Sequence, residues 1–114
     1  VSINTDATIG KVLEAVFHYR QEDFPVTEGG KVVGFITRKD LISGIHQFGK
    51  EKTVVDVMRK DFPKLKDTDT LVKAQNVMQA NGLTALPVLK DGALAGVITI
   101  EDIGRVYSMI SRKD

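Results

Sequence analysis

The sequence contains no cysteine, and this absence excludes several classes of protein. Disulfide-stapled folds, cysteine-ligated zinc sites and thiol catalysis all require that residue. The net charge of only +1 gives no general attraction to nucleic acid or to an anionic membrane surface. No apolar run approaches the roughly 18 residues that a membrane-spanning helix needs, and no signal peptide is visible. We therefore expect a protein of the cytoplasm, or of the cytoplasmic face of a membrane protein.

Residue patterns of catalysis and metal binding are also missing from the sequence. His18 and His46 stand alone without metal-ligand spacing, which favours surface or structural roles. The adjacent carboxylates of Glu22-Asp23 and of Glu101-Asp102 point apart on a helix or strand, which favours solvated charges over an acid–base pair. Gly29-Gly30 is not followed by the Gly-Lys-Ser/Thr of a phosphate loop, so it predicts a turn. The sequence therefore predicts a non-enzyme without a metal or a cofactor.

What the sequence does contain is a repeat. The 114 residues, of which 42% are hydrophobic and 27% charged, suffice for a compact domain with a real core. Within them, the stretch 34–40 recurs at 96–102, an offset of 62, as a glycine, two apolar residues, a threonine and an aspartate three positions later. Residues 5–45 align with 67–107 at this offset without a gap. A duplicated block usually packs against its copy, so we expect two similar units that share a buried face.

Each unit is predicted to run helix, strand, strand, helix. In the first unit, the apolar periodicity of Ile9, Val12, Leu13, Val16 and Phe17 predicts a helix over about 8–20, capped by Thr5, Asp6 or Thr8. Strands over 24–27 and 32–37 flank a hairpin turn, and a helix closed by Gly49 follows. The second unit is predicted to have a helix from 71 to 81, strands over 85–89 and 94–99, and a last helix that carries Ile103, Val106, Tyr107 and Ile110. The two strands of each unit are expected to pair, with helices covering the sheet.

The Thr-x-x-Asp of each repeat has two readings. Before an apolar run it is a capping-box pattern, in which both side chains satisfy donors at the start of a helix. It also places a hydroxyl and a carboxylate at the N-terminus of a helix, where free N–H groups favour anions. Two copies in one register favour a functional site, because capping requires neither the fixed glycine nor the fixed spacing.

The repeated motif, with Phe24-Pro25-Val26 and Leu86-Pro87-Val88 before the turns, resembles the CBS domain, named for cystathionine β-synthase. The linker Val54-Val55-Asp56-Val57-Met58 is similar to the segment that opens many CBS units. The resemblance implies an α+β fold of two CBS units packed as a pseudo-two-fold pair. The units would span 1–49 and 67–114, and residues 50–66 would form a linker with the opening segment of the second unit. The first unit lacks its own opening segment, which either precedes Val1 in a larger protein or is absent.

By the same resemblance, the pair is a regulatory module that binds adenosine-containing ligands in clefts between the units. AMP, ADP, ATP and S-adenosylmethionine are the expected ligands. The threonines would contact phosphate and the aspartates the ribose hydroxyls, as expected for a carboxylate beside a diol. The ligand-binding residues expected for this sequence are Thr37, Arg38, Asp40, Val54, Thr99 and Asp102, with Phe24, Pro25, Ala85, Leu86 and Pro87 around the adenine. Arg38 and Lys39 predict that the pocket of Asp40 prefers phosphorylated ligands more than the pocket of Asp102 does.

The resemblance also implies a partner and leaves one alternative open. CBS pairs associate through their helices, so we expect a homodimer with Phe48 and Met109 at its interface. Regulation would then act on an attached domain, and any link to a membrane would come only through that domain. The alternative is a ligand-free dimerisation or docking module of a larger enzyme, transporter or membrane protease.

Overall fold

The computed structural model describes residues 1–111, with the side chains of Tyr107, Ile110 and Ser111 outside the description. The elements in chain order are β1 (Ile3–Asn4), α1 (Ile9–Tyr19), β2 (Phe24–Glu28), β3 (Lys31–Ile36), α2 (Arg38–Phe48), a 3₁₀ turn (Val54–Asp56), β4 (Leu65–Lys66), α3 (Leu71–Asn81), β5 (Ala85–Lys90), β6 (Ala93–Thr99) and α4 (Ile100–Ser111). The predicted α+β repeat of helix, strand, strand, helix is confirmed. The expectations for Tyr107 and Ile110 lie outside the described side chains.

The repeat is visible in the register of the strands. Antiparallel β2 and β3 shift register between Val26 and Thr27, and antiparallel β5 and β6 shift between Val88 and Leu89, at the same offset. The tight turns also correspond, because Gly29 and Gly30 have φ of 58° and 82° where Asp91 and Gly92 have 52° and 81°. Residues with φ > 0 at both central positions suit the twist of a two-residue hairpin. The two units are therefore copies in backbone as well as in sequence.

Two short strands were not predicted. β1 pairs in parallel with β2, and β4 pairs in parallel with β5, so the sheet has the order β1-β2-β3-β6-β5-β4. Each of these strands has only two residues, too short for a period-2 pattern to be visible in the sequence. The two halves of the sheet meet where the Leu94 N–H donates to the Gly30 carbonyl at 3.0 Å.

The helices begin and end where side chains and glycines satisfy the backbone. Thr8 is the residue that caps α1, since its Oγ1 accepts from the Lys11 N–H at 3.3 Å, and Thr70 caps α3 in the same way. Gly82 ends α3 with φ of 63°. The apolar residues that predicted α1 differ in burial, because Ile9 and Val12 are buried whereas Phe17 is 83% exposed. Phe17 is rotated about 80° from Ile9 around the helix, which places it at the edge of the buried face.

The core has two clusters, one under each unit, and the linker crosses between them. Val54 is fully buried in the first cluster, and Val57 and Met58 pack against it. Phe35 of the first unit is buried instead in the second cluster, with Leu65 and Met78. The segment 54–58, which the sequence predicts to open the second unit, therefore packs against the core of the first unit.

Candidate functional site

Both Thr-x-x-Asp motifs form the start of a helix, and both make reciprocal capping contacts. Thr37 Oγ1 accepts from the Asp40 N–H at 3.2 Å, while Asp40 Oδ2 accepts from the Thr37 N–H at 3.0 Å. Thr99 and Asp102 repeat these bonds at 3.1 and 3.0 Å. Each capping contact therefore engages Oδ2 of its aspartate and does not use Oδ1.

An open cleft lies beside the second motif. Its volume is about 470 Å³, and both units form its walls. The second unit contributes Thr84, Val97, Thr99, Ile100, Glu101, Asp102 and Arg105, and the first contributes Val1, Tyr19, Arg20, Gln21 and Glu22. Both signs of charge line it, because Arg20 and Arg105 face a cleft that also holds three carboxylates. A molecule bound here would contact the two units at once.

The wall from the first unit is shaped where α1 ends. Arg20 adopts the left-handed conformation with φ of 55°, and its N–H donates to the Val16 carbonyl at 3.0 Å, so the chain turns sharply. The buried Gln21 then donates to the Asp23 carbonyl at 2.8 Å and to the Val1 carbonyl at 2.9 Å. These bonds fix residues 20–23 along the edge of the cleft.

Asp23 joins the two units behind this wall. It is only 4% exposed, and its Oδ2 accepts from the Thr84 N–H at 2.7 Å and from Thr84 Oγ1 at 2.8 Å. Its Oδ1 accepts weakly from the Arg38 N–H at 3.4 Å. The prediction that Asp23 is a solvated charge was therefore wrong, because partners from two distant segments replace water around the carboxylate. The repeat has Ala85 at the matching position, so this link occurs once.

The matching region of the first unit is covered by the chain itself. The Arg59 N–H and carbonyl bond to Phe35 at 2.7 and 2.8 Å, and Phe62 stacks on the Phe35 ring with centroids 6.0 Å apart. Arg59 Nε donates to Asp40 Oδ2 at 2.9 Å and Oδ1 at 3.2 Å. The Asp40 side chain is 17% exposed, compared with 42% for Asp102. Arg105 also pairs with Asp102, at 2.9 Å, but from the same helix.

The remaining predicted site residues lie around these motifs rather than in the open cleft. Phe24, Pro25, Ala85, Leu86, Pro87 and Val54 are buried in the core, and none of them lines the cleft in the part of the chain that the structure describes. Arg38 is largely exposed and pairs with Glu22 at 3.7 Å. Contact between these residues and a ligand stays a prediction. The buried ones form part of the core next to the two motifs.

Several residues of the cleft were missed from the sequence. Tyr19 is the last residue of α1, Arg20 and Gln21 follow it, and Thr84 lies in the loop between α3 and β5; none of them belongs to a motif. The sequence did contain a signal for this part of the cleft, because Glu22 and Thr84 occupy matching positions of the two repeats, 62 residues apart. A pair of copies packed about a pseudo-two-fold axis brings such matched positions together, which the expected packing of the units could have indicated.

The pKa values of the Val1 α-amino group and of the Asp69 carboxyl group are shifted. Burial lowers the pKa of the Val1 α-amino group beside the cleft, and the negative charge of Asp102 partly opposes that effect. At the start of the second unit, the Lys66 N–H donates to Asp69 and lowers the pKa of its carboxyl group, with help from Lys73. Over residues 1–111, no three side chains of His, Asp or Glu come together as a metal site.

The repeat seen in the structure is matched by a family model. The model described as CBS domain matches residues 1–47 and again 54–114, which together cover nearly the whole chain. The chain belongs to the CBS domain family. It is a tandem CBS pair, and the second match begins with the Val54 segment that packs on the first unit.

The chain is similar in sequence to an enzyme and in fold to solved structures that include a CBS domain pair. It is 33% identical over 105 residues to inosine-5′-monophosphate dehydrogenase of Methanocaldococcus jannaschii, and it spans about a fifth of that enzyme's length. A CBS domain pair solved with 5′-methylthioadenosine and S-adenosylmethionine has a TM-score of 0.77 at 21% identity, with 96% of this chain and 90% of that chain covered. The protein CBSX2, solved with AMP, has a TM-score of 0.81 at 22% identity, with 98% and 90% covered. At such identities the solved structures show the fold alone.

The described helices of this CBS pair are short. None within residues 1–111 has the length and apolar character needed to cross a membrane.

Proposed function

We propose that this CBS pair is a non-enzymatic sensor that binds an adenosine-containing ligand in the cleft beside Asp102. The candidate ligands are AMP, ADP, ATP and S-adenosylmethionine. The observation that carries the proposal is the construction of the cleft, whose walls come from both units around one Thr-x-x-Asp motif. The fold neighbours solved with AMP and with S-adenosylmethionine support this class of ligand.

The chemistry of the cleft fits the parts of such a ligand. Asp102 is 42% exposed and its Oδ1 accepts from Arg105 at 2.9 Å, so a ribose diol would donate to this carboxylate beside Arg105 or in its place. Thr99 lies at the start of α4, and Arg20 and Arg105 supply positive charge for phosphate or carboxylate groups. Tyr19 and Val97 provide surface for a flat base.

Regulation would follow from contact with both units. A ligand that touches residues 19–22 and 97–105 stabilises the arrangement of the units that fits it best. Only this differential affinity can shift the pair between conformations. We infer that the shift is passed to an attached domain in the cytoplasm. The dehydrogenase relative makes a catalytic domain of that kind the first candidate to test.

Titration calorimetry tests the binding proposal. Each of AMP, ATP and S-adenosylmethionine would be titrated into the wild-type chain, into Asp102→Asn and into Asp91→Asn. Loss of a charge-assisted hydrogen bond costs about 1.5–3 kcal/mol, which corresponds to roughly 10- to 100-fold in affinity. We expect Asp102→Asn to lose about that factor for at least one ligand. Asp91→Asn is the matched control, since it makes the same change in the β5–β6 turn.

A failure of the proposal would be clear in the same experiment. Ligand at about 100 times its Kd adds roughly 2.7 kcal/mol of stability, so a thermal melt provides a second readout. Absence of both binding heat and thermal shift with all three ligands at millimolar concentration would contradict the proposal. Equal losses in Asp102→Asn and Asp91→Asn would move the site elsewhere.

Exposed apolar side chains on the helices support a second proposal, a homodimer. Met109 on α4 is 67% exposed, and Phe48 at the end of α2 is 44% exposed. Burying such side chains between two copies would remove apolar surface from water. Sedimentation at several concentrations, with and without nucleotide, measures this association. A nucleotide-independent dimer that binds no ligand would instead favour the docking module.

A further inference from the structure

The matching edges of β3 and β6 differ in what covers them. The linker lies along β3, where the Phe35 N–H donates to the Arg59 carbonyl at 2.8 Å and the Arg59 N–H donates to the Phe35 carbonyl at 2.7 Å. Within residues 1–111, β6 pairs with β5 and, on its other side, with β3 only at Ala93. The repeat therefore forms the same strand twice but covers its outer edge once.

The burial of the two strands reflects this difference. Residues 34–36 of β3 are buried, whereas residues 96–98 of β6 are only half-buried. Met58 packs so closely on Gly34 that a Cβ there would collide with its sulfur, while a Cβ at Gly96 would meet nothing within 4 Å. The surface of β6 that matches the position of the linker is therefore open to another molecule.

Val97 presents the backbone groups that an extended chain requires. It lies opposite Pro87 in the ladder, as Phe35 lies opposite Pro25, and the two pairs have the same register. Proline has no N–H to donate across the ladder, and the bonds to Arg59 show that the N–H and carbonyl of Phe35 point outward. The matching N–H and carbonyl of Val97 therefore point away from β5, where one extended residue can bond to both.

The charge at this edge favours a basic side chain. Arg59 donates to both carboxylate oxygens of Asp40 while Asp40 still caps α2. Asp102 caps α4 in the same way, its Oδ1 accepts from Arg105, and its side chain is more exposed than that of Asp40. The side chains that line the cleft beside it include three carboxylates and two guanidiniums, so an added cation would balance their charge.

We propose that the outer edge of β6 at Gly96 and Val97 is a docking site for an extended segment of a partner polypeptide. The segment places an unbranched apolar side chain over Gly96 and a basic side chain at Asp102, and the backbone of the basic residue bonds to Val97. The donor and acceptor of Val97 match a peptide backbone, which favours a polypeptide over a small molecule. This inference goes beyond the proposed function and does not require an adenosine ligand to bind.

The likeness to the linker ends before the apolar residue of the segment. Gly44 leaves room for Val57 in the first unit, because a Cβ at Gly44 would lie only 3.0 Å from a Val57 methyl carbon. The matching residue of α4 is Val106, whose side chain has no such gap beside it. The partner is therefore recognised by its apolar and basic pair rather than by the residues that precede them.

NMR titration with the acetylated and amidated peptide Val-Met-Arg-Lys-Asp, which copies residues 57–61, tests the docking site. Amide signals of residues 96–98 should shift with one saturating Kd, and exchange of the Val97 N–H with solvent should slow. Methylation of the arginine backbone nitrogen removes the donor to Val97 and should weaken binding at least about 10-fold. Methylation of the lysine backbone nitrogen is the matched control, because that N–H points away from the strand, and it should change Kd by less than about 2-fold.

Substitutions test the two side-chain contacts. Gly96→Leu fills the space for the apolar side chain and should weaken peptide binding at least about 10-fold. Ala95→Leu is its control, since it adds a leucine at the exposed neighbouring residue and should change Kd by less than about 2-fold. Replacement of the peptide's arginine by glutamine should weaken binding about 3- to 5-fold, as expected for a partly exposed ion pair.

The outcomes separate this inference from its rivals and from the proposed function. No saturable shift of residues 96–98 at millimolar peptide, or equal effects of the two methylated peptides, would overturn it. Shifts of residues 96–98 that grow with protein concentration in the absence of peptide would overturn it too, because they would assign the edge to a second copy of the chain. AMP titrated alone tests the proposed function: peptide binding without AMP binding sinks only that function, and AMP binding without peptide binding sinks only this inference.

Discussion

Replacement of Asp23 is the perturbation that most sharply tests how the two units are held together. Asp23→Ala removes the acceptor for the Thr84 N–H and hydroxyl, at 2.7 and 2.8 Å, and for the Arg38 N–H at 3.4 Å. Hydrogen bonds to a charged group contribute about 1.5–3 kcal/mol, but removal of the buried carboxylate also relieves its desolvation. We therefore expect the free energy of unfolding to fall by about 2–3 kcal/mol.

Thermal and urea unfolding measure this loss. For a chain of this size, 1 kcal/mol corresponds to roughly 4 °C, so Asp23→Ala should lower Tm by about 8–12 °C. Asp23→Asn keeps an oxygen for Thr84 without the charge, and it should lose about half as much. Glu22→Ala is the matched control, because its pair with Arg38 at 3.7 Å is largely exposed and should matter by less than about 0.5 kcal/mol.

A double-mutant cycle shows whether the effect comes from the contact itself. Thr84→Val removes the hydroxyl that donates to Asp23, and the two changes together should cost less than the sum of the single losses by at least about 0.5 kcal/mol. The reasoning would be refuted if Asp23→Ala cost no more than Glu22→Ala. It would also be refuted if the Asp23 and Thr84 changes were strictly additive.

Two further predictions use the repeat and the pKa shift. A Cβ at Gly34 would collide with the Met58 sulfur, whereas one at Gly96 would meet nothing within 4 Å. Gly34→Ala should therefore cost about 1–3 kcal/mol and Gly96→Ala less than about 0.5 kcal/mol in urea unfolding, and equal effects would contradict the packing of the linker. The pKa of Asp69 is lowered by the Lys66 N–H, so its contribution to stability is present above the ordinary carboxyl pKa and is lost as pH falls. Acid unfolding of Asp69→Asn should consequently depend less on pH below about 4 than that of the wild type, and identical profiles would count against this bond.

The helices and the longer strands could be predicted because their sequence patterns occur in both copies of the repeat. Turns such as Gly29-Gly30 and Asp91-Gly92 mark the hairpins, and the apolar periodicity of α1 survives in α3. The two-residue strands β1 and β4 could not be found, because they form only where β2 and β5 offer them an edge. Their existence depends on tertiary pairing rather than on local propensity.

The site could be predicted only as far as its motifs. Thr99 and Asp102 lie in the open cleft as expected, but the wall opposite them comes from residues 19–22, which carry no motif. The ion pair between Arg59 and Asp40 could not be predicted either, because the course of the linker brings Arg59 to Asp40 and no regular sequence spacing relates the two residues. Asp23 appeared as one of two adjacent carboxylates, and only the packing of the units shows that it is buried.

Chemical-shift mapping by NMR during an AMP titration tests the central claim most directly. Amide signals of residues 19–22, Thr84 and 97–105 surround the cleft and should move together with one saturating dissociation constant. The same titration of Asp102→Asn should require about 10-fold more AMP or greater to produce those shifts. Shifts confined to the groove between α3 and α4 around Gln79 and Leu83 would contradict the account, as would no saturable shift at millimolar AMP.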